Sequence, residues 1–451
     1  MHTIDLMRRW FYTLFVLLYT GNLFIQSDTI AFVTGWVAIV ALIVSYPGSS
    51  RTFQIVSVVF LTLGLGINIS SGASWSSIPG YFSSAGLMLS LLYMLPWINN
   101  LIIVGQYEQH LGRLLKNGTE HLAKLYQRTS FVSYILCIFL FFASIPLVYR
   151  ILRKQLKQLP KSLRNRFASE SILRAFSVAT VWSPVEVFIV MVSSLTGVTY
   201  PECLPWLLLF SIVMVAVDWL FAIRYRRHSL KSSVELPASE PVRWSKLFQL
   251  MIALFLLILL STSLSNRLSI DFFTAITLLI LPFCLIWAGF IQRARRYWRY
   301  SFLAWKKQVP ELKNLALLFL SLSFFNRTIE HTAALDLLQE PLLSLGKAPL
   351  FLFLCIQLSS VLLALVGIHP LVALGVQGVL IQPLLDTINP LSLAIMLLTA
   401  NIASDASGTY NTTVAMMSQL TGESPYRITR WNIGFALLYS SVGTLLAWLL
   451  L

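Results

Sequence analysis

Charge is what this 451-residue chain has least of: Asp, Glu, Lys and Arg together make 11% of it. A soluble globular domain carries about 25%, so an ordinary soluble enzyme is excluded. Cysteine is also sparse. Cys137, Cys203, Cys284 and Cys355 stand singly in or beside apolar runs, without the CxxC spacing that a thiolate metal site or a dithiol redox centre needs. The sequence has no HExxH, no GxSxG and no GxxxxGK[ST]. These absences argue against a zinc hydrolase, a serine hydrolase and direct use of ATP, so the chain is not expected to be an enzyme. No polar stretch is long enough for a separate soluble domain, the longest running from Arg224 to Lys246.

What is abundant is apolar surface, at 57% hydrophobic residues and a mean hydropathy of +0.75. Crossing a hydrocarbon core of roughly 30 Å takes about 20 apolar residues. Runs that meet or approach this length lie at 10–26, 29–47, 53–70, 81–104, 129–149, 172–200, 204–223, 247–265, 270–292, 310–326, 348–384, 388–422 and 431–451. The first follows Arg8 and Arg9 with no small-residue cleavage pattern after it, so 1–28 is expected to be an uncleaved extra N-terminal span.

The net charge of +15 fits either a nucleic-acid binder or a membrane protein with cytoplasmic Lys and Arg. Basic residues interleaved with aromatics on a polar helix do not occur outside the loops, so no nucleic acid is expected. If all runs crossed, Arg113, Lys116, Lys124 and Arg128 would face the opposite side from Arg150, Arg153, Lys154, Lys157, Lys161, Arg164 and Arg166. The conflict disappears if the segment at about 129–158 dips in and returns near Ala143-Ser144-Ile145-Pro146, and if 348–384 turns likewise at Gly367-Ile368-His369-Pro370. The expected fold is an all-α polytopic membrane protein of about eleven transmembrane helices plus two re-entrant hairpins. Its N-terminus is cytoplasmic and its C-terminus external, in a cell (plasma or inner) membrane. Only Arg267, Arg327 and Lys347 then fall outside.

The halves repeat. At an offset of 225, Leu195-Thr196-Gly197 falls on Leu420-Thr421-Gly422, Met191 on Met416 and Ser193 on Ser418, and at 224 Pro146-Leu147-Val148 falls on Pro370-Leu371-Val372. The expected organisation is a first repeat at 29–225, a cytoplasmic basic linker at 226–246 and a second repeat at 247–451. Each repeat has a hairpin followed by a broken helix, at about 172–200 and 388–422. The first begins outside and the second inside, so the repeats are inverted, the arrangement that permits alternating access.

Polar residues break both long segments. Thr180, Ser183, Pro184 and Glu186 interrupt the first, where Pro184 removes a donor and frees carbonyls. Asn401, Ser404, Asp405, Ser407, Gly408, Thr409, Tyr410, Asn411, Thr412 and Thr413 interrupt the second. Backbone of this kind at membrane depth is tolerated only where it is shielded by protein or lines a cavity. With the hairpin tips Ser144, Pro146, Gly367, His369 and Pro370, these residues form the candidate solute and ion site. An intramembrane carboxylate usually marks an ion or proton path, and Asp405 either joins a Na+ site with Ser404 and Asn411, carries a coupling proton, or caps a half-helix. Glu186 takes the position matching Asn411, with an ion pair to Arg174 as the structural alternative. His369 is either a ligand or a packing residue, Asp218 reads as structural and Gln377 as a tie between helices.

Eleven spans, an extra first helix, two inverted repeats and a hairpin and broken helix in each resemble the ion transporter superfamily, whose best-known branch is the divalent anion:sodium symporters. That branch carries Ser-Asn-Thr at its hairpin tips, where this chain has Ala143-Ser144-Ile145-Pro146 and Gly367-Ile368-His369-Pro370. Ser183-Pro184-Val185-Glu186 is similar to the Thr-Pro-x-Glu of the large membrane subunit of TRAP transporters, and that likeness implies an extracytoplasmic binding protein as partner. The resemblance implies a secondary active transporter of a small polar or anionic solute, organic acids favoured, coupled to Na+ or H+. No cofactor is expected beyond Na+ as coupling ion. The other partners are the solute and the lipid bilayer, with a homodimer left open. The alternative is a non-transporting scaffold or regulatory protein built on the same fold.

Overall fold

The computed structural model describes residues 2–72, 74–107, 121–226, 244–329, 346–409 and 411–451. Most of the 226–246 linker, the segment 108–120 with Arg113 and Lys116, and Tyr410 lie outside the described residues. The regular elements described are all helices. They are α1 (His2–Ile25), α2 (Asp28–Ser45), α3 (Arg51–Ser70), α4 (Ile78–Ser83), α5 (Gly86–Gly105), α6 (Leu122–Leu140), α7 (Ser144–Gln155), α8 (Lys161–Thr180), α9 (Val187–Thr196) and α10 (Tyr200–Phe221). They continue as α11 (Trp244–Leu268), α12 (Phe272–Phe290), α13 (Ala294–Gln308), α14 (Lys313–Ile329), α15 (Pro349–Val366), α16 (Pro370–Ile381), α17 (Pro390–Ile402), α18 (Ser404–Ser407), α19 (Thr412–Thr421) and α20 (Pro425–Leu449).

Among the described residues ten helical stretches are long and apolar enough to cross a bilayer, which makes this an all-α polytopic membrane protein. The helices α1 and α14 are not among the ten, since α1 carries Asp5, Arg8 and Arg9 and α14 has only 17 residues. Outward faces are apolar, as lipid contact requires: Leu209, Ile212 and Leu220 on α10 and Leu445 and Trp448 on α20 are exposed.

The chain forms two compact units. One comprises Met1–Val104, Leu256–Ser344 and Val379–Ile381. Its core is built from Tyr12, Phe15, Phe82, Leu89, Leu317 and Phe324, with the Phe82 and Phe324 rings stacked at 4.8 Å. The other comprises Gly105–Phe255, Leu345–Gly378 and Gln382–Leu451, and it holds every candidate site residue. In this unit α17 and α20 pack closely because Gly443 has no side chain: a Cβ there would lie 2.1 Å from Thr399 Oγ1.

Both hairpin segments bend, each for an identifiable reason. After α6 the chain turns at Phe141, whose φ is 50°, and α7 packs back on α6. The bend therefore comes before Pro146, which sits in the first turn of α7, where a missing N–H costs no helical bond. The helix α7 is amphipathic. It buries Ile145, Val148, Tyr149 and Leu152 and exposes Arg150, Arg153 and Lys154. The second bend is at Gly367, φ 106°, and Pro370 opens α16. There Gln377 Nε2 reaches back across the turn to Ser359 Oγ at 2.9 Å and Ser360 Oγ at 3.0 Å, so it does tie helices together.

Elements α6 to α10 recur in order as α15, α16, α17, α19 and α20. The match extends to single hydrogen bonds. Gly197 and Gly422 end α9 and α19 in the left-handed region, at φ 71° and 72°, where a side chain would be strained. The amides of these glycines donate to Ser193 O and Ser418 O at 2.9 and 2.8 Å. Ser193 Oγ donates to Val198 O at 2.6 Å and Ser418 Oγ to Glu423 O at 2.7 Å.

Candidate functional site

The centre of the second unit is the break between α17 and α19. The helix stops because Gly408 is extended, at ψ 114°. Its amide closes a last turn onto Ser404 O at 2.6 Å, and Asn411 then restarts the helix by accepting from Thr412 N at 2.6 Å. Residues 401–409 are all buried.

Asp405 lies inside this break, and it is not the cap of α19. Asn411 is the cap, and its amide Nδ2 donates to Asp405 Oδ1 at 2.7 Å and more weakly to Ser404 O at 3.4 Å. Thr413 Oγ1 donates to Asp405 O at 2.5 Å, and Ser404 Oγ to Asn401 O at 2.6 Å. Thr409 Oγ1 meets Thr429 Oγ1 on α20 at 3.2 Å. Among the described residues Asp405 has no ion pair.

The first repeat supplies the corresponding break. Ser183 N donates to Thr180 O at 3.2 Å and Glu186 N to Ser183 O at 3.0 Å, carrying the chain through the buried Pro184. Glu186 is the cap of α9, where its Oε1 accepts from Phe188 N at 3.5 Å. Among the described residues its Oε2 has no hydrogen-bond partner, although the residue is only 2% exposed. The carboxylate of Asp405 is the one charged group among the described residues whose field bears on Glu186.

Glu186 does not pair with Arg174. That guanidinium belongs to a second buried cluster, whose centre, Glu170, was not anticipated from the sequence. Glu170 is 0% exposed and accepts from Arg166 Nε at 3.0 Å, Arg224 NH2 at 2.5 Å and Tyr225 Oη at 2.5 Å, with Arg174 NH2 at 3.2 Å. Arg174 also faces Asp218 at 3.7 Å and donates to Asn432 Oδ1 at 3.1 Å. Asp218 accepts from Tyr126 Oη at 2.8 Å and Ser130 Oγ at 3.0 Å. The spacing Arg166, Glu170, Arg174, one helical turn apart each time, is the signal that could have found this cluster.

Of the hairpin residues, Ser144 is buried and its Oγ donates to Phe141 O at 2.6 Å. Pro146 is half-buried. In the second hairpin the close approach is made by Ala364, whose Cβ would be 3.5 Å from a Cβ placed on Gly408. Gly367 forms the bend, His369 Nδ1 accepts from Leu371 N at 3.3 Å as a cap on α16, and Pro370 is buried in the first turn. Asn401 joins this hairpin by donating to Gln377 Oε1 at 2.9 Å and to Leu397 O at 2.9 Å. Because Leu397 O can only accept, the Asn401 amide cannot be reversed, and its buried Oδ1 has no hydrogen-bond partner among the described residues. Ser407 is buried, whereas Thr412 points outward and is exposed.

The site is therefore rich in acceptors: two carboxylates, an orphaned amide oxygen and the carbonyls of broken helices. No protein-family model matches the chain, and no curated protein matches it. Among solved structures its fold is similar to that in the "Crystal structure of the Alcanivorax borkumensis YdaH transporter", which "reveals an unusual topology". The TM-score is 0.61 over 88% of this chain and 96% of that one, at 12% identity. The likeness is one of fold. The chain is an all-helical polytopic membrane protein.

Proposed function

We propose that this protein is a secondary active transporter that moves a small polar or anionic solute by alternating access, driven by Na+ or H+. The observation that carries the reading is Asp405: a carboxylate buried in a helix break and held by Asn411, without an ion pair among the described residues. Two carboxylates in a low-dielectric interior repel and are poorly solvated, and a monovalent cation or proton relieves both costs. Oxygen donors suit a hard cation, and Asp405, Ser404 and Asn411 are the residues that would hold Na+. Among the described residues no cluster of three or more His, Cys, Asp or Glu side chains is placed to hold a metal ion.

Organic acids remain the favoured solutes, with the order of binding set by charge. The cation enters first and cancels one of the two carboxylate charges, after which the anion meets a weaker negative field. The recurrence of α6–α10 as α15–α20 supports inverted repeats. The bends at Phe141 and Gly367 support two re-entrant hairpins.

Uptake by proteoliposomes should be measured across dicarboxylates, citrate, other organic anions and amino acids, with Na+ and H+ gradients imposed separately. Accumulation of one solute class under one gradient is the expected result. A flat response from folded protein in every condition would favour a non-transporting scaffold.

A further inference from the structure

The helix α13 is unlike every other helix of the first unit. Its sequence, Ala294 to Gln308, has five cations and no carboxylate. Only Tyr297 and Ser301 are fully buried. Tyr297 Oη donates to Trp97 O at 3.1 Å and Trp305 Nε1 donates to Tyr93 Oη at 2.7 Å, so one side of the helix is clamped onto α5.

The opposite side is bare, and its residues follow a pattern. Arg295, Arg299, Phe302 and Lys306 are exposed at spacings of four, three and four, which puts them in one line along the helix. Trp298 is 48% exposed and Leu303 63%, one on each flank of that line. Lys306 Nζ lies 4.9 Å from the Phe302 ring centroid. Among the described residues Arg295, Arg299 and Lys306 have no ion pair.

The location matches the pattern. The apolar helix α12 is one of those able to cross a bilayer, and it ends at Phe290. A left-handed turn at Gln292, φ 56°, then leads straight into α13, which therefore starts where a span ends. A helix with aromatics and Lys or Arg on one open face at that depth suits the boundary between acyl chains and headgroups. A soluble acidic partner would leave the exposed Trp298, Phe302 and Leu303 without an apolar contact, and a free phosphate needs a concave site rather than a line of charges.

We propose that α13 is a docking face for anionic phospholipids, with Arg295, Arg299 and Lys306 on the headgroup phosphates and Trp298, Phe302 and Leu303 at the level of the first acyl carbons. The cost of lost binding is about fivefold in affinity for each cation removed from a membrane-surface cluster.

The purified full-length protein in neutral detergent is titrated with phosphatidylglycerol, phosphatidylcholine or inorganic phosphate, and its melting temperature is followed. Phosphatidylglycerol alone should raise it. The triple variant Arg295→Gln, Arg299→Gln, Lys306→Gln should need more than tenfold as much of that lipid for the same rise. A control variant, Arg150→Gln, Arg153→Gln, Lys154→Gln, should need no more than the wild type. High salt should weaken the effect on the wild-type protein, a readout that stands if the triple variant does not fold. An equal rise with phosphatidylcholine, an equal rise with phosphate, a salt-independent response, or an equal loss in the control variant would each overturn the proposal.

Discussion

Asn411 binds the carboxylate of Asp405 with its amide at 2.7 Å while its own oxygen accepts from Thr412 N at 2.6 Å. One side chain thus restarts a broken helix and fixes the buried acid within the break. Helix integrity and acid placement are coupled, and substitutions at Asn411 can separate them.

Asn411→Ala should lose both functions. Loss of an N-cap costs about 1–2 kcal/mol, visible as a lower melting temperature, and cation-driven uptake should fall at least tenfold. Asn411→Asp keeps a capping oxygen but sets a like charge against Asp405, so it should retain more stability than Asn411→Ala while uptake still falls. Equal uptake in wild type and Asn411→Asp would contradict the pairing.

The Glu170 cluster is expected to be structural. Glu170→Ala leaves Arg174 buried without its main counter-charge, and breaking one partner of a buried pair costs about 3–5 kcal/mol. Glu170→Gln keeps an acceptor for Tyr225 and should cost less. The check is thermal unfolding in detergent with the solute absent. A Glu170→Ala variant that melts with the wild type would show that Arg166, Arg174 and Arg224 do not need the carboxylate.

The paired caps make a symmetric expectation. Gly197→Ala and Gly422→Ala each force a side chain into the left-handed region, at about 1–2 kcal/mol, and the two losses should agree closely because the local hydrogen bonds match. A loss at only one of them would mean that the two turns are not equivalent elements.

Gly443→Ala tests the approach of α20 to α17. The new Cβ would meet Thr399 within 2.1 Å, and overpacking of this kind costs about 1–3 kcal/mol. Adding Thr399→Ala should recover part of it by removing Oγ1 and the methyl group, which lie 2.1 and 2.9 Å from that position. No recovery would point to a rearranged pair of helices.

Much of this architecture could be read from residue patterns. The offset of 225 that aligned Leu195-Thr196-Gly197 with Leu420-Thr421-Gly422 also aligns the glycine caps and their hydrogen bonds. The break at Asp405 was visible because polar residues crowded an apolar run. The first bend was legible only approximately: Pro146 drew the expected turn to Ala143–Pro146, whereas the chain turns earlier, at Phe141, which no glycine or proline marks. Glu170 was hidden for another reason: its partners Arg224 and Tyr225 lie more than fifty residues along the chain, and only tertiary packing brings them to it. The role of Asn411 as cap also had no separate signal, because Asp405 is an equally good capping residue by type.

The most direct test compares cation-driven uptake with solute exchange in proteoliposomes carrying wild type or Asp405→Asn. If Asp405 holds the coupling cation, Asn at that position removes accumulation driven by the gradient, by at least a hundredfold, in protein that expresses and melts like the wild type. Gradient-driven uptake unchanged by Asp405→Asn would contradict the account.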